Sequence, residues 1–233
     1  MGKASDIRDE ARARGIRYLV HFTQVRNLPT IVEHGLWSRA KLGSAPFVAY
    51  PSAADRLDGN DDAVSVSITA ANYVMFESKR AKVKPTPWVL LLLDPSILWT
   101  HECHFHRRNA ASNAERNHRG FLGGPYGLAR MFAERDGSQP DAPVLFKGTN
   151  YRAETGIPKH LPTHSEAEVQ VLGCIAPGLI RAAHVETADI AEGVRTLLSG
   201  LGGPGRTTWA EEFTVVSNDY DWWLAPRGSG HPA

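Results

Sequence analysis

The sequence predicts one mixed domain of helices and strands, of the α+β class, and three observations support this. Segments in which apolar and polar residues alternate are interspersed with segments of helical spacing. The chain has 233 residues, 42% of them hydrophobic and 22% charged, as in an ordinary globular protein with a substantial core. It contains no internal repeat and no low-complexity tract. We therefore predict a single domain over residues 1–233.

The first half of the chain predicts three helices and two strands. Asn27 suits the N-cap of the second helix, Pro29 its first turn and Gly35 its end. In order, we predict a helix at 4–14, a strand at 18–22, a helix at 27–35, irregular chain at 38–62, a strand at 63–68 and a helix at 72–82 that ends in cations.

The second half opens with an apolar run at 88–94 that is too uniform for a half-exposed strand, so we place it centrally in its sheet. Residues 100–165 show little periodicity apart from a helix near 126–136. So long an irregular stretch within a compact domain indicates either function or disorder. A strand at 166–172, a helix at 188–201 and a "GGPG" break at 202–205 then precede a Trp-rich tail.

Net charge, apolar run length and cysteine content indicate where the protein is located and which kinds of partner it can bind. The net charge is only +1, so any polyanion must be bound by a local basic patch. The longest apolar run is too short to span a bilayer, and the N-terminus has no secretory core, so we expect no membrane partner. Cys103 and Cys174 are expected to be reduced thiols, as in a cytoplasmic protein.

The segment "HFTQVRNLPTIVEHGLWS" at 21–38 brings a histidine and a threonine to the end of a strand, with a helix behind them. His21 and Thr23 would form a polar cradle for a small ligand. A structural role for a histidine at a strand end is the commoner alternative.

The segment "SVSITAANYVMF" at 65–76 places Ser65 and Ser67 on one strand face and follows them with Tyr73 and Phe76 on a helix. Aromatic side chains in that position can stack on a flat ring. On pattern alone, Tyr73 and Phe76 are better explained as core residues of an amphipathic helix.

The segment at 101–120 combines metal-ligand side chains with the densest local positive charge. Imidazole and thiolate are the ligands that zinc prefers, but no second ligand pair lies at a familiar spacing, so we expect no metal. The arginines of this segment would bind phosphates, unless the segment is a solvated loop. The residues concerned are His101, Cys103, His104 and His106 for metal and Arg107, Arg108, Arg116 and Arg119 for phosphate.

Two glutamates at the start of the strand at 166–172 raise the question of what they face. A two-residue period puts Glu166, Glu168 and Gln170 on one side and the apolar residues on the other. Two carboxylates so placed can divide the work of holding a hydroxyl and of deprotonating an attacking group. A solvated edge strand would explain the same pattern.

Taken in order, these motifs resemble the DarT family of nucleic-acid ADP-ribosyltransferases, toxins of bacterial toxin–antitoxin pairs. The resemblance spans residues 15–180 and leaves out the tail at 202–233. It rests on "HFTQVRNLPTIVEHGLWS", "ADRLDG" (54–59), "SVSITAANYVMF", "WVLLLLDPSILW" and "PTHSEAEVQV".

The resemblance implies an ADP-ribosyltransferase fold, with split central sheets and an NAD cleft between them. NAD+ would be a consumed substrate and no metal would be needed. Glu168 would be the catalytic glutamate and Arg56 the catalytic arginine, contacting the NAD phosphates or polarising the target base. The residues implied to bind NAD are His21, Phe22, Thr23, Asn27, Leu36, Ser38, Tyr73 and Phe76.

The resemblance also implies that the acceptor is a base of single-stranded DNA, because a base inside a duplex is inaccessible to such chemistry. The loop at 149–165 would recognise the acceptor. The residues implied to contact it are Glu166, His164, Arg107, Arg108, His118 and Arg119. The partner would be an antitoxin that binds the toxin or removes its mark through a macrodomain-type hydrolase, and the enzyme itself is expected to be a monomer.

One departure concerns the acceptor base. The family commonly shows Gln-x-Glu where this chain has Glu166-Ala167-Glu168. A carboxylate at the first position can accept from a base amino group, which guanine and adenine offer and thymine does not, so a purine is favoured. The "RLDG" and "NYxMF" patterns resemble a subgroup that points to guanine rather than thymine. The same pattern in protein-modifying relatives accompanies arginine, so protein arginine or RNA is an alternative acceptor. A non-catalytic binding module is a third alternative, disfavoured because His21, Arg56, Tyr73 and Glu168 are all present.

Overall fold

The computed structural model describes residues 2–51, 56–83, 85–118, 120–134, 151–201, 210–217 and 222–226. Its strands are β1 (Leu19–Gln24), β2 (Leu36–Trp37), β3 (Ala63–Ile68), β4 (Ala71–Asn72), β5 (Trp88–Leu93), β6 (Cys103–His106), β7 (Glu168–Leu172), β8 (Cys174–Ile175), β9 (Ile180–Val185), β10 (Ala210–Ser217) and β11 (Trp222–Pro226). Its helices are α1 (Lys3–Arg14), α2 (Leu28–His34), α3 (Arg39–Leu42), α4 (Tyr73–Lys82), α5 (Ile97–Thr100), α6 (Asn113–Arg116), α7 (Gly124–Arg130), α8 (Tyr151–Glu154) and α9 (Ala188–Ser199).

Nine of the described strands form one sheet in the order β4-β11-β10-β9-β5-β1-β3-β7-β6, and β2 pairs separately with β8. Neighbours are antiparallel, except that β10 runs parallel to β9. Every residue of β5 is buried, which confirms the central position predicted from its uniform apolar run.

The sheet is split between β1 and β3. β1 pairs with β5 along its whole length, from Leu19↔Leu93 to Gln24↔Trp88. On its other side β1 pairs with β3 only at Leu19↔Ile68 and Val20↔Ser67. The two strands then diverge, while β3 continues its ladder with β7. The predicted pair of separated sheets is thus one sheet that stays joined at two residue pairs and opens beyond them.

Apolar residues cover both faces of this sheet. The larger cluster includes Leu19, Leu91 and Val169 and packs against helices on one face. The smaller cluster lies on the other face, where Phe22, Phe76 and Trp88 form edge-on or tilted ring pairs with centroids 5.5 to 6.2 Å apart. Such aromatic pairs add about 0.5–1.5 kcal/mol each to the area that they bury. Core packing therefore fixes β1 rigidly at the edge of the split.

Several predicted boundaries move. The strand at 63–68 is confirmed residue for residue, and the helices at 27–35 and 72–82 are confirmed within a residue or two. The strand predicted at 166–172 begins only at Glu168. A turn precedes it, in which the Ala167 N–H donates to the His164 carbonyl at 3.0 Å. The helix near 126–136 instead spans Gly124–Arg130, and its last two predicted residues lie outside the described part.

The regions predicted to be irregular contain short elements. Residues 38–62 hold α3, and residues 100–165 hold α6, α7, α8 and the edge strand β6, which pairs with β7 from Cys103↔Val171 to His106↔Glu168. From the Trp-rich tail, Trp223 is buried against Ala70, Tyr151 and Leu161, so this residue completes the core. Within the described residues, no helix is long and apolar enough to cross a membrane.

Candidate active site in the split of the sheet

A cavity of about 320 Å³ lies in the split between β1 and β3. Successive side chains of a strand point to opposite faces, and both faces of β1 contribute to its wall. Phe22 lines it together with Asn72, Met75 and Lys79 of the α4 region, whereas His21 and Thr23 line it together with Asn27, Ile31 and Leu36 of the α2 region. Further wall comes from Arg56, Asp58, Ser65, Asn109, Glu166 and Glu168. The divergence of two strands thus creates a cleft that passes through the sheet.

Glu168 lies at the cavity with little exposure to solvent. The residue is only 9% exposed, and its Oε2 accepts a hydrogen bond from the Ala110 N–H at 3.0 Å. Gln170, on the same face of β7, is 2% exposed. The polar face of this strand is therefore buried against a site, and the alternative of a solvated edge strand is wrong.

Arg56 is held in place by four hydrogen bonds. Its Nε and Nη2 donate to the two carboxylate oxygens of Asp58, the first at 3.0 Å. Its Nη1 donates to the Ala63 carbonyl at 2.8 Å and its Nη2 to Ser65 Oγ at 3.0 Å. A guanidinium has five N–H donors, and the described residues leave one N–H of Nη1 for a ligand. Arg56 can therefore offer positive charge and a single hydrogen bond, not the two-pronged clamp with which arginine usually grips a phosphate.

The charges around Arg56 reinforce its ionised form. Burial opposes ionisation, but the hydrogen bonds and charge of Asp58, with a further contribution from Glu168, raise the pKa of Arg56. For Asp58, burial is likewise outweighed by the hydrogen bond from Arg56, and the pKa of Asp58 is lowered. Both groups thus stay charged across the physiological range.

His21 connects the two sides of the split. Its Nδ1 lies 2.8 Å from the Ser65 carbonyl of β3, where only a protonated Nδ1 can donate. Burial lowers the pKa of His21 and the nearby charge of Arg56 lowers it further, while the hydrogen bond to Ser65 opposes the change. His21 is therefore neutral at pH 7, with its proton on Nδ1 and its Nε2 an acceptor.

Asn27 ties the loop after α3 to β1. Its Nδ2 donates to Thr23 Oγ1 and to the Tyr50 carbonyl, both at 3.0 Å, and its Oδ1 accepts from the Tyr50 N–H at 2.9 Å. The Arg26 guanidinium lies 3.9 Å from the centroid of the Tyr50 ring. The side chain of Asn27, predicted to act at the ligand, thus also fixes a wall of the cavity.

Sequence reasoning placed the "GLWS" segment at 35–38, with Trp37, near the ligand, but it missed Phe47 and Tyr50 in the aromatic part of this wall. Trp37, Phe47 and Tyr50 line the cavity, and the ring of Phe47 stacks on His34 with centroids 4.4 Å apart. Trp37 Nε1 donates to the His34 carbonyl at 2.8 Å, which fixes the second ring. The segment that carries Phe47 and Tyr50 has no periodicity, so only the presence of aromatic residues within an irregular stretch could have drawn attention to it.

Of the residues predicted to bind NAD, five line the cavity and three do not. His21, Phe22, Thr23, Asn27 and Leu36 are in its wall. Ser38 is 1% exposed beneath the wall, Phe76 is fully buried in the aromatic cluster of the second face, and Tyr73 packs against that cluster. The resemblance implies that Tyr73 stacks on the nicotinamide ring and that Phe76 supports it. In this structure α4 turns both side chains toward the core and presents Asn72, Met75 and Lys79 to the cavity.

The predicted acceptor residues are scattered. Glu166 lines the cavity and lies 3.4 Å from Arg108 Nη1. Arg107 and His164 are buried, so neither presents an exposed cation to a DNA backbone. His118 Nε2 accepts from Arg130 Nη1 at 2.9 Å, and burial together with that charge lowers the pKa of His118, so it is neutral. Arg119 and the first residues of the predicted recognition loop lie outside the described residues.

The histidine-rich strand β6 holds no metal cluster among the described residues. His106 Nδ1 instead lies 3.3 Å from Glu115 Oε2, and Cys103 Sγ lies 3.6 Å from the Ile97 carbonyl. Burial raises the pKa of the Cys103 thiol to about 12, so it is an inert core group.

Several solved structures share this architecture. Thermus sp. 2.9 DarT in complex with carba-NAD+ matches with a TM-score of 0.53 and 16% identity, over 84% of this chain and 95% of that one. Thermus sp. 2.9 DarT in complex with ADP-ribosylated ssDNA matches with a TM-score of 0.53 and 14% identity, over 85% and 94%. Thermosipho africanus DarTG in complex with ADP-ribose gives a TM-score of 0.51 at 15% identity over 84% of this chain, which spans 50% of the length of that one. At these identities the likeness concerns the fold, and the predicted ADP-ribosyltransferase fold is confirmed.

The sequence also matches a family model, that of DarT, described as ssDNA thymidine ADP-ribosyltransferase, over residues 20–211. The match covers most of the chain, and the protein therefore belongs to the DarT family. The resemblance predicted over 15–180 is confirmed, and it reaches further toward the C-terminus than the motifs alone indicated. A comparison with curated proteins gave no match.

Proposed function

We propose that this protein transfers ADP-ribose from NAD+ to a base of single-stranded DNA and releases nicotinamide. The observation that carries the proposal is the convergence of Glu168, Arg56 and His21 on one cavity in the split of the sheet. Membership of the DarT family supports the reaction class, and the complexes named for the Thermus relative support both substrates.

The residues around the cavity have distinct roles in this proposal. The bond between the ribose C1′ and the nicotinamide nitrogen breaks, nicotinamide leaves with the electron pair, and a nitrogen of the acceptor base bonds to C1′. Glu168 accepts a hydrogen bond from the ribose 2′-OH and stabilises the positive charge that develops on the sugar. The proton lost by the acceptor nitrogen passes to a carboxylate at the cavity and then to solvent.

His21 and Arg56 act on the donor and on its charge. Neutral His21 has Nε2 available to accept a hydrogen bond from the donor, since its Nδ1 is committed to the Ser65 carbonyl. Arg56, with four of its five donors used by the protein, supplies charge near the phosphates or near the target base. Thr23, Asn27 and Leu36 line the part of the cavity that we propose holds NAD+. We also propose that residues 1–233 act as one domain.

Glu166 is the residue that we propose reads the acceptor. It lines the cavity next to Glu168 and is partly exposed, with Arg108 close to its carboxylate. A carboxylate can accept from a base amino group, such as that of guanine, whereas thymine has none to offer, so we propose guanine rather than thymine. The description of the family names thymidine, which makes the acceptor base the first question for experiment.

A second acceptor class is favoured by the same residue. The guanidinium of Arg108 already lies 3.4 Å from Glu166, which is the kind of contact an acceptor arginine of a protein would make. Modification of protein arginine, or of RNA, is therefore the alternative function.

In the cell, we propose that the protein is a monomeric cytoplasmic toxin that blocks replication by modifying DNA. Its partner would be an antitoxin that binds it or removes the mark as a macrodomain-type ADP-ribosyl hydrolase. The DarTG name of the Thermosipho relative supports a toxin–antitoxin context.

The deciding experiment is a transfer assay with labelled NAD+ and four single-stranded oligonucleotides, each lacking one base. Label on every oligonucleotide except the one without guanine would establish DNA modification and the proposed base together. If the oligonucleotide without thymine alone stays unlabelled, thymidine is the acceptor and Glu166 has another role. If all four stay unlabelled while RNA or an arginine-rich protein is modified, the alternative function replaces the proposal.

A further inference from the structure

Gln170 is buried behind the cavity and does not line it, yet its side chain joins two parts of the site. It lies on β7 two residues after Glu168, directly opposite Ser65 of β3. Its Nε2 donates to Asp58 Oδ2 at 2.8 Å, and its Oε1 accepts from Asn60 Nδ2 at 2.8 Å. The amide is thus fixed in one orientation, with its donor toward the carboxylate.

Asp58 has no spare acceptor capacity. Its Oδ1 accepts from Arg56 Nε at 3.0 Å and from the Asn60 N–H at 3.2 Å, while its Oδ2 accepts from Arg56 Nη2 and from Gln170. A carboxylate offers about four lone-pair sites, and here all four are used. The position of the carboxylate therefore depends on both neighbours, Gln170 as well as Arg56.

These contacts connect the strand of the catalytic glutamate with the arginine. Asp58 belongs to the segment that carries Arg56, and Gln170 belongs to the strand that carries Glu168. We propose that Gln170 and Asp58 are positioning residues that hold the Arg56 guanidinium in a fixed place relative to Glu168. This proposal rests on the proposed function and adds to it how Arg56 is aligned for the transfer.

Positioning is more than packing here, because the direction of one hydrogen bond matters. A group at position 170 that donates to Asp58 holds the carboxylate, whereas a group that only accepts repels it. The charged and titratable groups around this position are Arg56, Asp58 and Asp61 on one side, Glu168 on β7 and His104 opposite Gln170 on β6. A carboxylate introduced at position 170 would lie next to the Asp58 carboxylate and on the same strand face as Glu168.

The test is Gln170→Glu, compared with Gln170→Met, over a range of pH. We expect Gln170→Glu to lower kcat for transfer about 100-fold at pH 7.5, since small misalignments of a catalytic group have effects of that size. The deficit relative to wild type should shrink as the pH falls, because the introduced carboxyl donates to Asp58 once protonated. Gln170→Met should lower kcat without that pH dependence. KM for NAD+ should stay unchanged in both variants, because position 170 is outside the cavity wall.

A second, milder variant keeps the test decisive if Gln170→Glu does not fold. Asn60→Leu removes the donor that fixes the Gln170 amide and leaves the carboxylates of Asp58, Asp61 and Glu168 in place. We expect it to lower kcat at constant KM and to speed the hydrogen exchange of the Arg56 Nε–H, followed by NMR. Wild-type kcat in both Gln170 variants, or an unchanged Arg56 Nε–H signal in Asn60→Leu, would overturn the proposal.

The two proposals fail in different ways. If the wild-type chain neither releases nicotinamide nor labels an acceptor, the proposed function is wrong, and the Arg56 Nε–H exchange still reports on positioning. If the wild-type chain is active and the variants match it at every pH, only the positioning proposal is wrong.

Discussion

Glu168 and Glu166 are two residues apart in sequence but have different environments. Glu168 is buried on β7 and receives a backbone N–H, whereas Glu166 precedes the strand, is partly exposed and lies next to Arg108. A fixed, desolvated carboxylate suits stabilisation of a developing positive charge, and an exposed one suits contact with a second substrate. The division of roles follows from the different environments more than from the sequence pattern.

Glu168→Gln should therefore reduce transfer by about 100- to 1000-fold, the usual cost of removing one group that stabilises charge in the transition state. The amide keeps the shape and can still accept from the Ala110 N–H, so the melting temperature should change little. Nicotinamide release measures the effect. Glu192→Gln, on the exposed face of α9, is the matched control and should behave as wild type; equal activity in both variants would refute the catalytic role of Glu168.

His21 gives a prediction about pH. Burial lowers the pKa of His21 below the ordinary value of about 6.5, so the unfolded chain takes up a proton there before the folded chain does. The free energy of unfolding should therefore fall as the pH is lowered below about 6.5. In His21→Asn, whose Nδ2 can still donate to the Ser65 carbonyl, this part of the decline should disappear.

Chemical denaturation of wild type and His21→Asn between pH 7.5 and pH 5 measures this difference. Other histidines with lowered pKa, His101, His104 and His118, are common to both proteins and cancel in the comparison. Parallel curves for the two proteins would show that protonation of His21 is not linked to folding.

At the scale of elements, sequence periodicity located the strands whose burial pattern is regular. The alternation at 63–68 and the uniform apolar run of β5 specify strand and burial directly, and both were confirmed. The edge strand β6 has only four residues and is fixed by its pairing with β7, so its own sequence carries no sufficient signal. The start of β7 was predicted too early because the residues before it continue the alternation while the backbone turns.

Gly35 is the element boundary on which a wall of the cavity depends. It ends α2 with φ 86°, and a Cβ there would lie 2.2 Å from the Ile175 carbonyl oxygen of β8. Gly35→Ala must therefore separate β2 from β8 or distort α2, and should destabilise the fold by more than the ~1–3 kcal/mol that a sparsely populated backbone conformation alone costs. Thermal or denaturant unfolding measures the loss.

Gly173→Ala separates the two causes. Gly173 has the same φ of 86°, but a Cβ there meets nothing within 4 Å, so its substitution reports backbone strain alone. If both variants lose the same stability, the close approach of Gly35 to β8 has no energetic weight.

At the scale of the whole molecule, the net charge of +1 makes local cations decisive for any contact with DNA. Arg108 lies beside the cavity at Glu166, whereas Arg107 is buried. Arg108→Gln should weaken single-stranded DNA binding and lower the slope of log K against log salt by about 0.7, the value for one lost phosphate contact. Titration of a fluorescent oligonucleotide at several salt concentrations measures the slope.

Arg107→Gln is the comparison for that experiment. Because Arg107 is buried, its replacement should lower the melting temperature and leave the salt slope unchanged. A reduced slope for Arg107→Gln, with no change for Arg108→Gln, would place the DNA path on the other side of this segment.

Site residues that belong to a motif could be predicted from the sequence. Contacts between segments that are distant in sequence could not. Glu168, Arg56, His21 and Thr23, to which the resemblance assigns roles at one site, all line the cavity. The structural neighbours of those residues could not be predicted: Asp58 and Gln170 are 112 positions apart, and only the tertiary fold brings them to 2.8 Å. The resemblance implied a ligand role for Tyr73, whereas the helix spacing alone favoured the core position that the structure shows.

The two residue pairs that join β1 to β3 have a consequence for how long the protein lasts. Beyond those pairs, residues 21–23 and 63–66 face a cavity where neighbouring strands of a closed sheet would exchange hydrogen bonds. A substrate bound there, as we propose, would fill the place of a missing strand, and its binding free energy would add to the stability of the fold. Turnover would then remove this stabilisation together with the substrate. The lifetime of the protein should accordingly track the supply of what it consumes, long while the substrate is plentiful and short once it has been used up.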